Sequence, residues 1–116
     1  MKKDIEFGFG PHLMLDLFGC DKDKLSDVNF VFDLLNTFPD KMKMGKVTPP
    51  HVFRYEGKAP EEGGVSGVVL GGESHISVHT FPDQSHAFVD IFSRDDFDAD
   101  YARSELLGIF KASHDS

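Results

Sequence analysis

The hydrophobic pattern of the first third of the chain predicts one buried strand followed by one amphipathic helix. The segment His12–Phe18 is short, mostly apolar and bounded by glycine, as expected for a strand inside a sheet. Apolar residues then recur at three- and four-residue steps from Val28 to Phe38, which is typical of a helix with one face in the core. Asp27 is a suitable N-cap, and we expect Pro39 to end the helix.

The rest of the chain predicts more strands and a second helix. Val52–Tyr55 is a candidate strand within a stretch rich in Pro, Gly and Lys that otherwise has the composition of a loop. Ala99–Phe110 has helical spacing and follows Asp98, a suitable N-cap. Three further segments have the residue types of β-strands: Val65–Leu70, Ile76–Thr80 and Ala87–Phe92.

This order of elements predicts an α+β fold: a two-layer sandwich in which two helices cover one face of an antiparallel sheet. A length of 116 residues suits one domain, which we expect to span residues 1–116. Two helices are too few to cover both faces of the sheet. We therefore expect a second copy of the chain to cover the other face, in a homodimer.

The charge balance and the single cysteine exclude several kinds of partner and site. The chain has 12 Lys and Arg against 20 Asp and Glu, a net charge of -8, so we expect no nucleic acid partner. The sequence contains no run of about 18 apolar residues that would predict a membrane span, and no N-terminal apolar run that would predict a signal peptide. Cys20 alone provides neither an intrachain disulfide nor a multi-thiolate metal site. These features together predict a cytoplasmic protein.

One ten-residue segment, at positions 71–80, concentrates glycines, hydroxyls, two histidines and a carboxylate. A metal site formed by Glu73, His75 and His79 is one interpretation, but neighbouring ligands on an extended strand lie about 7 Å apart, too far for tight chelation without a bend. A hydrolase built on a serine and a histidine is a second interpretation, and it lacks the spacing of a nucleophile elbow. A third is that the histidines simply line a polar strand edge.

The ordered motifs of the chain resemble a known family. Gly64–Leu70, Glu73–Pro82 and Phe88–Ser93 look like the core signature of the small prokaryotic S-adenosylmethionine decarboxylases, and Gly10–Asp21 is similar to the first strand of that family. These segments cover most of the chain in the family's order. The resemblance implies the same fold, and a self-processing, pyruvoyl-dependent carboxy-lyase of polyamine biosynthesis that acts on S-adenosylmethionine.

The resemblance also implies a cleavage site and a cofactor. The proenzyme would cut itself between Glu73 and Ser74 into fragments 1–73 and 74–116, and Ser74 would become a pyruvoyl group at the start of the second fragment. A pyruvoyl carbonyl condenses with a substrate's amino group and accepts the electrons released when carbon dioxide leaves. The cofactor is thus made from the chain itself, and we expect no metal.

Further site residues follow from the resemblance position by position. His79 matches the histidine that assists ester breakdown during processing, and Ser66 matches a serine associated with processing and with the site. Tyr55 and Phe81 lie where the family has aromatics that sandwich the adenine, and Asp83 lies where an acidic residue holds the ribose. Core packing for the two aromatics and a turn role for Asp83 are the alternatives. The implied substrate is a small cationic molecule of the amino-acid type.

The sequence departs from the family pattern at its proton donor and at its end. After Ser93 the family usually has a cysteine, whereas this chain has Arg94, and an arginine side chain is not a useful proton donor. Water, His75 or Ser93 would then have to donate the proton. The family's usual final strand is also missing from the pattern of residues 111–116.

These departures leave two other functions open. One is a changed substrate, L-arginine or L-ornithine, for which some members of the family are decarboxylases. The other is a non-catalytic paralogue that regulates an active partner.

Overall fold

The computed structural model describes residues 10–59 and 62–115. This part of the chain forms six strands and three helices: β1 (His12–Phe18), α1 (Lys22–Leu25), α2 (Val28–Lys41), β2 (His51–Tyr55), β3 (Gly64–Leu70), β4 (Ser74–Phe81), β5 (His86–Ser93), α3 (Ala99–Ile109) and β6 (His114–Asp115). The first residues of the chain, on which the expectation about a signal peptide rests, lie outside the described part. None of the three helices described is long and apolar enough to cross a membrane.

The six strands form one antiparallel sheet in the order β2-β3-β4-β5-β1-β6. α2 packs against β2, β3 and β4, and α3 packs against β1. Apolar side chains of these helices and of the sheet form one buried cluster. The predicted α+β sandwich is therefore confirmed.

The helix starts are as predicted, and one helix end is not. The carboxylates of Asp27 and Asp98 accept hydrogen bonds from backbone N–H groups in the first turns of α2 and α3. The prediction that Pro39 ends the first long helix is wrong, because α2 continues to Lys41 and buries the proline. Proline already has a helical φ, and at this position it removes only one hydrogen bond near the end of the helix.

Alternation along the strands gives the sheet two different faces. On the core face, side chains such as Leu15 of β1 and Val89 of β5 are paired and fully buried beneath the helices. The opposite face, which we call the open face, is half-buried or exposed. It consists of His12, Met14, Asp16, Phe18, His51, Phe53, Tyr55, Ser66, Val68, Leu70, His75, Ser77, His79, Phe81, His86, Phe88, Asp90, Phe92 and His114. All six histidines of the chain lie on it.

The expectation that the chain lacks a final strand is wrong. β6 pairs with β1 after a turn in which Lys111 has a φ of +53°. The Ser113 backbone N–H donates to the Phe18 carbonyl (2.8 Å), and the His114 ring stacks on the Phe18 ring. β6 has only two residues, which is too short for any alternation pattern to reveal.

Candidate active site

The Glu73–Ser74 peptide lies at one end of the sheet, where β4 begins beside the end of β5. Ser74 is directly opposite Ser93 in the β4–β5 register. The backbone N–H of Arg94 donates to the Glu73 carbonyl oxygen (3.0 Å), and the backbone N–H of Gly71 donates to the Ser74 carbonyl oxygen (2.8 Å). The two carbonyls that flank the Ser74 nitrogen are thus both held by hydrogen bonds.

Gly71 is required here by space rather than by backbone conformation. A Cβ at this position would collide with the Ser74 hydroxyl and come within 2.5 Å of the Gly45 carbonyl oxygen. Among the described glycines, only Gly19 has a positive φ. The glycine therefore allows Ser74 to approach the turn closely, and its φ gives no sign of strain.

Open clefts on both sides of the sheet reach Ser74. A cleft of about 540 Å³ on one side is lined by the loop after α2, including Met44 and Lys46, and by Glu73 and Ser74. A second cleft of about 420 Å³ is lined by Ser74 together with open-face residues, among them His75. Ser74 is therefore accessible to a small molecule.

Ser93, the last residue of β5, and Arg94, which follows it, lie beside the Glu73–Ser74 peptide. Ser93 is almost fully buried (6% exposed), and its hydroxyl accepts from the backbone N–H of Asp95 (3.2 Å). The Arg94 guanidinium pairs with the Glu73 carboxylate (3.4 Å), and both side chains are more than half exposed. An ion pair this exposed contributes little to stability, so its main effect is to hold the two side chains near each other.

Ser66 and His79 lie together on the open face. They are opposite each other in the β3–β4 register, and the Ser66 hydroxyl is hydrogen-bonded to His79 Nδ1 (2.9 Å). Sequence reasoning selected both residues but did not predict their contact. Along β4, however, His79 is about 16 Å from Ser74 at the usual rise of an extended strand, so the pair does not reach Ser74 of its own chain.

The candidate substrate residues lie at the same end of the sheet as Ser66 and His79. Tyr55 and Asp83 line a cleft of about 710 Å³, and both side chains are exposed. Phe81 is half-buried at the end of β4, with its ring 5.7 Å from the ring of His86. The structure therefore divides the predicted site into two groups. The cleavage group is Glu73, Ser74, Ser93 and Arg94, and the binding group is Tyr55, Ser66, His79, Phe81 and Asp83.

Comparison with known proteins identifies the family. The family model for S-adenosylmethionine decarboxylase matches residues 11–116. The chain belongs to this family. The S-adenosylmethionine decarboxylase proenzyme of Geobacillus kaustophilus (strain HTA426) is 39% identical over 104 residues, which is 85% of this chain and 77% of the relative. The proenzyme of Pyrococcus horikoshii is 32% identical over 108 residues, 90% of this chain and 72% of the relative. Halalkalibacterium halodurans has a relative named proenzyme 2, 34% identical over 106 residues, 90% of this chain and 78% of the relative. These names do not support arginine or ornithine as the substrate.

The metal interpretation of the histidine-rich segment is not supported in this member of the decarboxylase family. His79 bonds to Ser66, whereas His75 Nε2 donates to the Asp90 carboxylate (3.2 Å). Glu73 instead faces Arg94. Within residues 10–59 and 62–115, no three His, Cys, Asp or Glu side chains are grouped so that they could hold a metal ion. The hydrolase interpretation is also not supported, because the serine that is hydrogen-bonded to His79 is Ser66, which lies outside the segment 71–80.

Sequence reasoning missed one cluster next to the cleavage group. The two carboxylate oxygens of Asp90 accept from His12 Nε2 (2.6 Å) and His75 Nε2 (3.2 Å), and both imidazole rings contact Phe92. The alternation of β5 places Asp90 on the open face between Phe88 and Phe92, and this position of a carboxylate among aromatic residues could have indicated the cluster from sequence. His75 thus lies in the cleft beside Ser74 with its ring oriented by Asp90.

Cys20 does not replace the thiol that the family has at position 94. It lies after β1 at the end of the sheet away from Ser74, where its backbone N–H donates to the Ser85 carbonyl oxygen (2.9 Å). It is buried (4% exposed), with its Sγ 3.6 Å from the Leu17 carbonyl oxygen. Burial raises the pKa of the Cys20 thiol to about 11, and a weaker backbone hydrogen bond with Ala87 opposes the shift.

We predict that Cys20 reacts slowly with thiol reagents in the folded protein. Because the thiolate is the reactive form, the raised pKa and the burial should slow modification by an aromatic disulfide at pH 8 by at least about a hundredfold. Absorbance of the released thiol measures the rate, and the same protein in denaturant is the control. Equal rates in the two conditions would contradict the described environment of Cys20.

Proposed function

We propose that this chain is a self-processing, pyruvoyl-dependent decarboxylase that acts on S-adenosylmethionine. The observation that carries the proposal is the environment of the Glu73–Ser74 peptide, in which a serine hydroxyl follows a hydrogen-bonded carbonyl and opens into clefts. Membership of the S-adenosylmethionine decarboxylase family supports the substrate.

Processing needs one molecule of water and no other co-reactant. The Ser74 hydroxyl oxygen bonds to the Glu73 carbonyl carbon, the bond from that carbon to the Ser74 nitrogen breaks, and the hydroxyl proton passes to the nitrogen. Elimination then removes the Cα proton of Ser74 and breaks the bond between its Cβ and Oγ, so that a carbon–carbon double bond forms and the carboxylate of residue 73 leaves. Fragment 1–73 ends in a carboxylate. The new amino group of fragment 74–116 becomes an imine, and water replaces its nitrogen with oxygen, so that ammonia leaves and a pyruvoyl group remains.

The residues present fit this cofactor. Ser74 supplies its carbon atoms, and the clefts on both sides leave room for a substrate. When present, the pyruvoyl group binds the substrate's amino group and withdraws the electrons that carbon dioxide leaves behind. Tyr55 and Phe81 offer aromatic faces to the adenine and the sulfonium, and Asp83 offers acceptors to the ribose.

The product carbon must receive a proton after carbon dioxide has left. Position 94 carries an arginine, so the donor must be another group near Ser74. His75 and Ser93 are the candidates, since each lines a cleft together with Ser74. Of the two, a histidine is better able to exchange a proton near neutral pH.

We further propose that the working unit is a homodimer in which each site combines residues of both chains. The cleavage group and the binding group lie at opposite ends of the sheet. Within one chain, the two groups are therefore too far apart to form one site. A two-fold axis through the open face would bring the partner's His79 towards Ser74. Exposed apolar side chains on that face, Phe53 (60%) and Leu70 (48%), support its burial in a dimer.

We predict that Ser74→Ala abolishes cleavage, because it removes the attacking hydroxyl. Intact mass should give fragments 1–73 and 74–116 for the unaltered chain and one whole chain for the variant. Ser77→Ala, which alters a serine on the same strand, should still be cut. An unaltered chain that remains whole would overturn self-processing and favour a non-catalytic role.

We predict that the cleaved protein releases carbon dioxide from S-adenosylmethionine and not from L-arginine or L-ornithine. Assays with carboxyl-labelled substrates measure this directly. The uncut Ser74→Ala protein provides the background. Release from either amino acid, with none from S-adenosylmethionine, would refute the proposed substrate.

We predict that mixed dimers rescue a processing defect. His79→Ala subunits alone should remain whole, because the histidine that assists ester breakdown is lost. Co-expression with Ser74→Ala subunits should restore cleavage of the His79→Ala chain. The mixed dimer contains one site in which Ser74 comes from the His79→Ala chain and His79 comes from the Ser74→Ala chain. The two variants have different masses, which identifies the chain that is cut.

The matched control is co-expression with the double variant Ser74→Ala/His79→Ala, which offers no intact histidine and should not rescue. If co-expression with Ser74→Ala also leaves every chain whole, His79 acts on its own chain. The shared site would then be wrong, while self-processing itself would stand.

A further inference from the structure

The main chain at position 94 touches a reacting atom of the proposed cleavage. The Arg94 backbone N–H donates to the Glu73 carbonyl oxygen at 3.0 Å. This hydrogen bond continues the β4–β5 ladder by one step beyond the Ser74–Ser93 pair. Its acceptor is the oxygen on which negative charge develops when the Ser74 hydroxyl attacks.

We propose that the Arg94 backbone N–H is an oxyanion donor for self-cleavage at the Glu73–Ser74 bond. This inference rests on the proposed function, since it concerns the first step of that processing. Oxyanion donors act at about 2.7–3.1 Å from the oxygen they stabilise, and the observed distance lies in this range. Because the donor is already held by the sheet, little reorganisation is needed when the charge forms.

The neighbouring contacts keep this donor aligned with its acceptor. The Arg94 guanidinium pairs with the Glu73 carboxylate at 3.4 Å, so side chain and main chain of one residue both hold Glu73. The backbone N–H of Ser93 donates to the Pro11 carbonyl oxygen (3.2 Å), which fixes the end of β5 against β1. The N–H that faces the scissile carbonyl thus belongs to a segment anchored on both sides.

In this step the bond between Ser74 Oγ and the Glu73 carbonyl carbon forms, and the carbonyl π electrons move onto the oxygen bound by Arg94. When the carbon–nitrogen bond breaks, these electrons return and the ester carbonyl forms. The hydroxyl proton ends on the Ser74 nitrogen, so no co-reactant is consumed. A backbone N–H serves this purpose with any side chain except proline, which explains how arginine at position 94 is compatible with the first step of processing.

The test compares Arg94→Pro, which removes the N–H, with Arg94→Ala, which keeps the N–H and removes the guanidinium. Cell-free synthesis followed by intact mass gives the rate at which the whole chain becomes fragments 1–73 and 74–116. We expect Arg94→Pro to be cut about 100-fold more slowly, the usual effect of one lost oxyanion donor. Arg94→Ala loses the exposed ion pair with Glu73 and keeps the N–H, so it should be slowed at least tenfold less than Arg94→Pro.

A second variant removes the donor without a proline ring. Replacing residue 94 by the corresponding α-hydroxy acid changes the N–H to an ester oxygen and leaves the side chain in place. It should slow cleavage by a comparable factor. Thermal unfolding of each variant in the uncut Ser74→Ala background reports any loss of fold, and if Arg94→Pro does not fold, the ester variant decides.

Three results have distinct meanings. Slow cleavage of the proline and ester variants with rapid cleavage of Arg94→Ala supports the inference. Equal rates for all folded variants, or a loss in Arg94→Ala as large as in the ester variant, overturn it while self-processing stands. An unaltered chain that is never cut overturns self-processing and this inference together.

Discussion

The antiparallel register between β4 and β5 is the constraint on which the candidate site depends. It sets Ser74 opposite Ser93 and places the Arg94 N–H against the Glu73 carbonyl. A shift of one residue would move every side chain of β4 to the other face, removing Ile76 and Val78 from the core and taking His79 off the open face. The buried face of the sheet therefore enforces the register that the proposed chemistry at the Glu73–Ser74 peptide requires.

The same strand connects two groups of functional residues that do not meet within one chain. β4 carries Ser74 at its start and His79 and Phe81 near its end, so its extended length separates the cleavage group from the binding group. The open face lies between them and contains all six histidines. A second copy of the chain across this face is the simplest arrangement that would unite the two groups, and it would also cover the exposed Phe53 and Leu70.

Local sequence patterns predicted the long helices and strands well, but they could not predict the short elements or the contacts between side chains on different strands. β3 and β5 extend one residue or so beyond their predicted bounds, and the N-caps Asp27 and Asp98 are as expected. α1 and β6 were missed because four and two residues contain too little periodicity. The Ser66–His79 bond joins residues far apart in the chain, so no local spacing could predict it.

The sequence by itself determined the family, the presence of the Glu73–Ser74 pair at which we propose cleavage, and the absence of a thiol at position 94, because these depend on residue type and order. Only the tertiary structure decided how these residues are grouped. It buried Cys20 far from Ser74, oriented His75 through Asp90, and placed the backbone of Arg94 against the Glu73 carbonyl. The physical reason is that a backbone N–H is the same in nearly every residue, and only strand pairing decides which carbonyl it contacts.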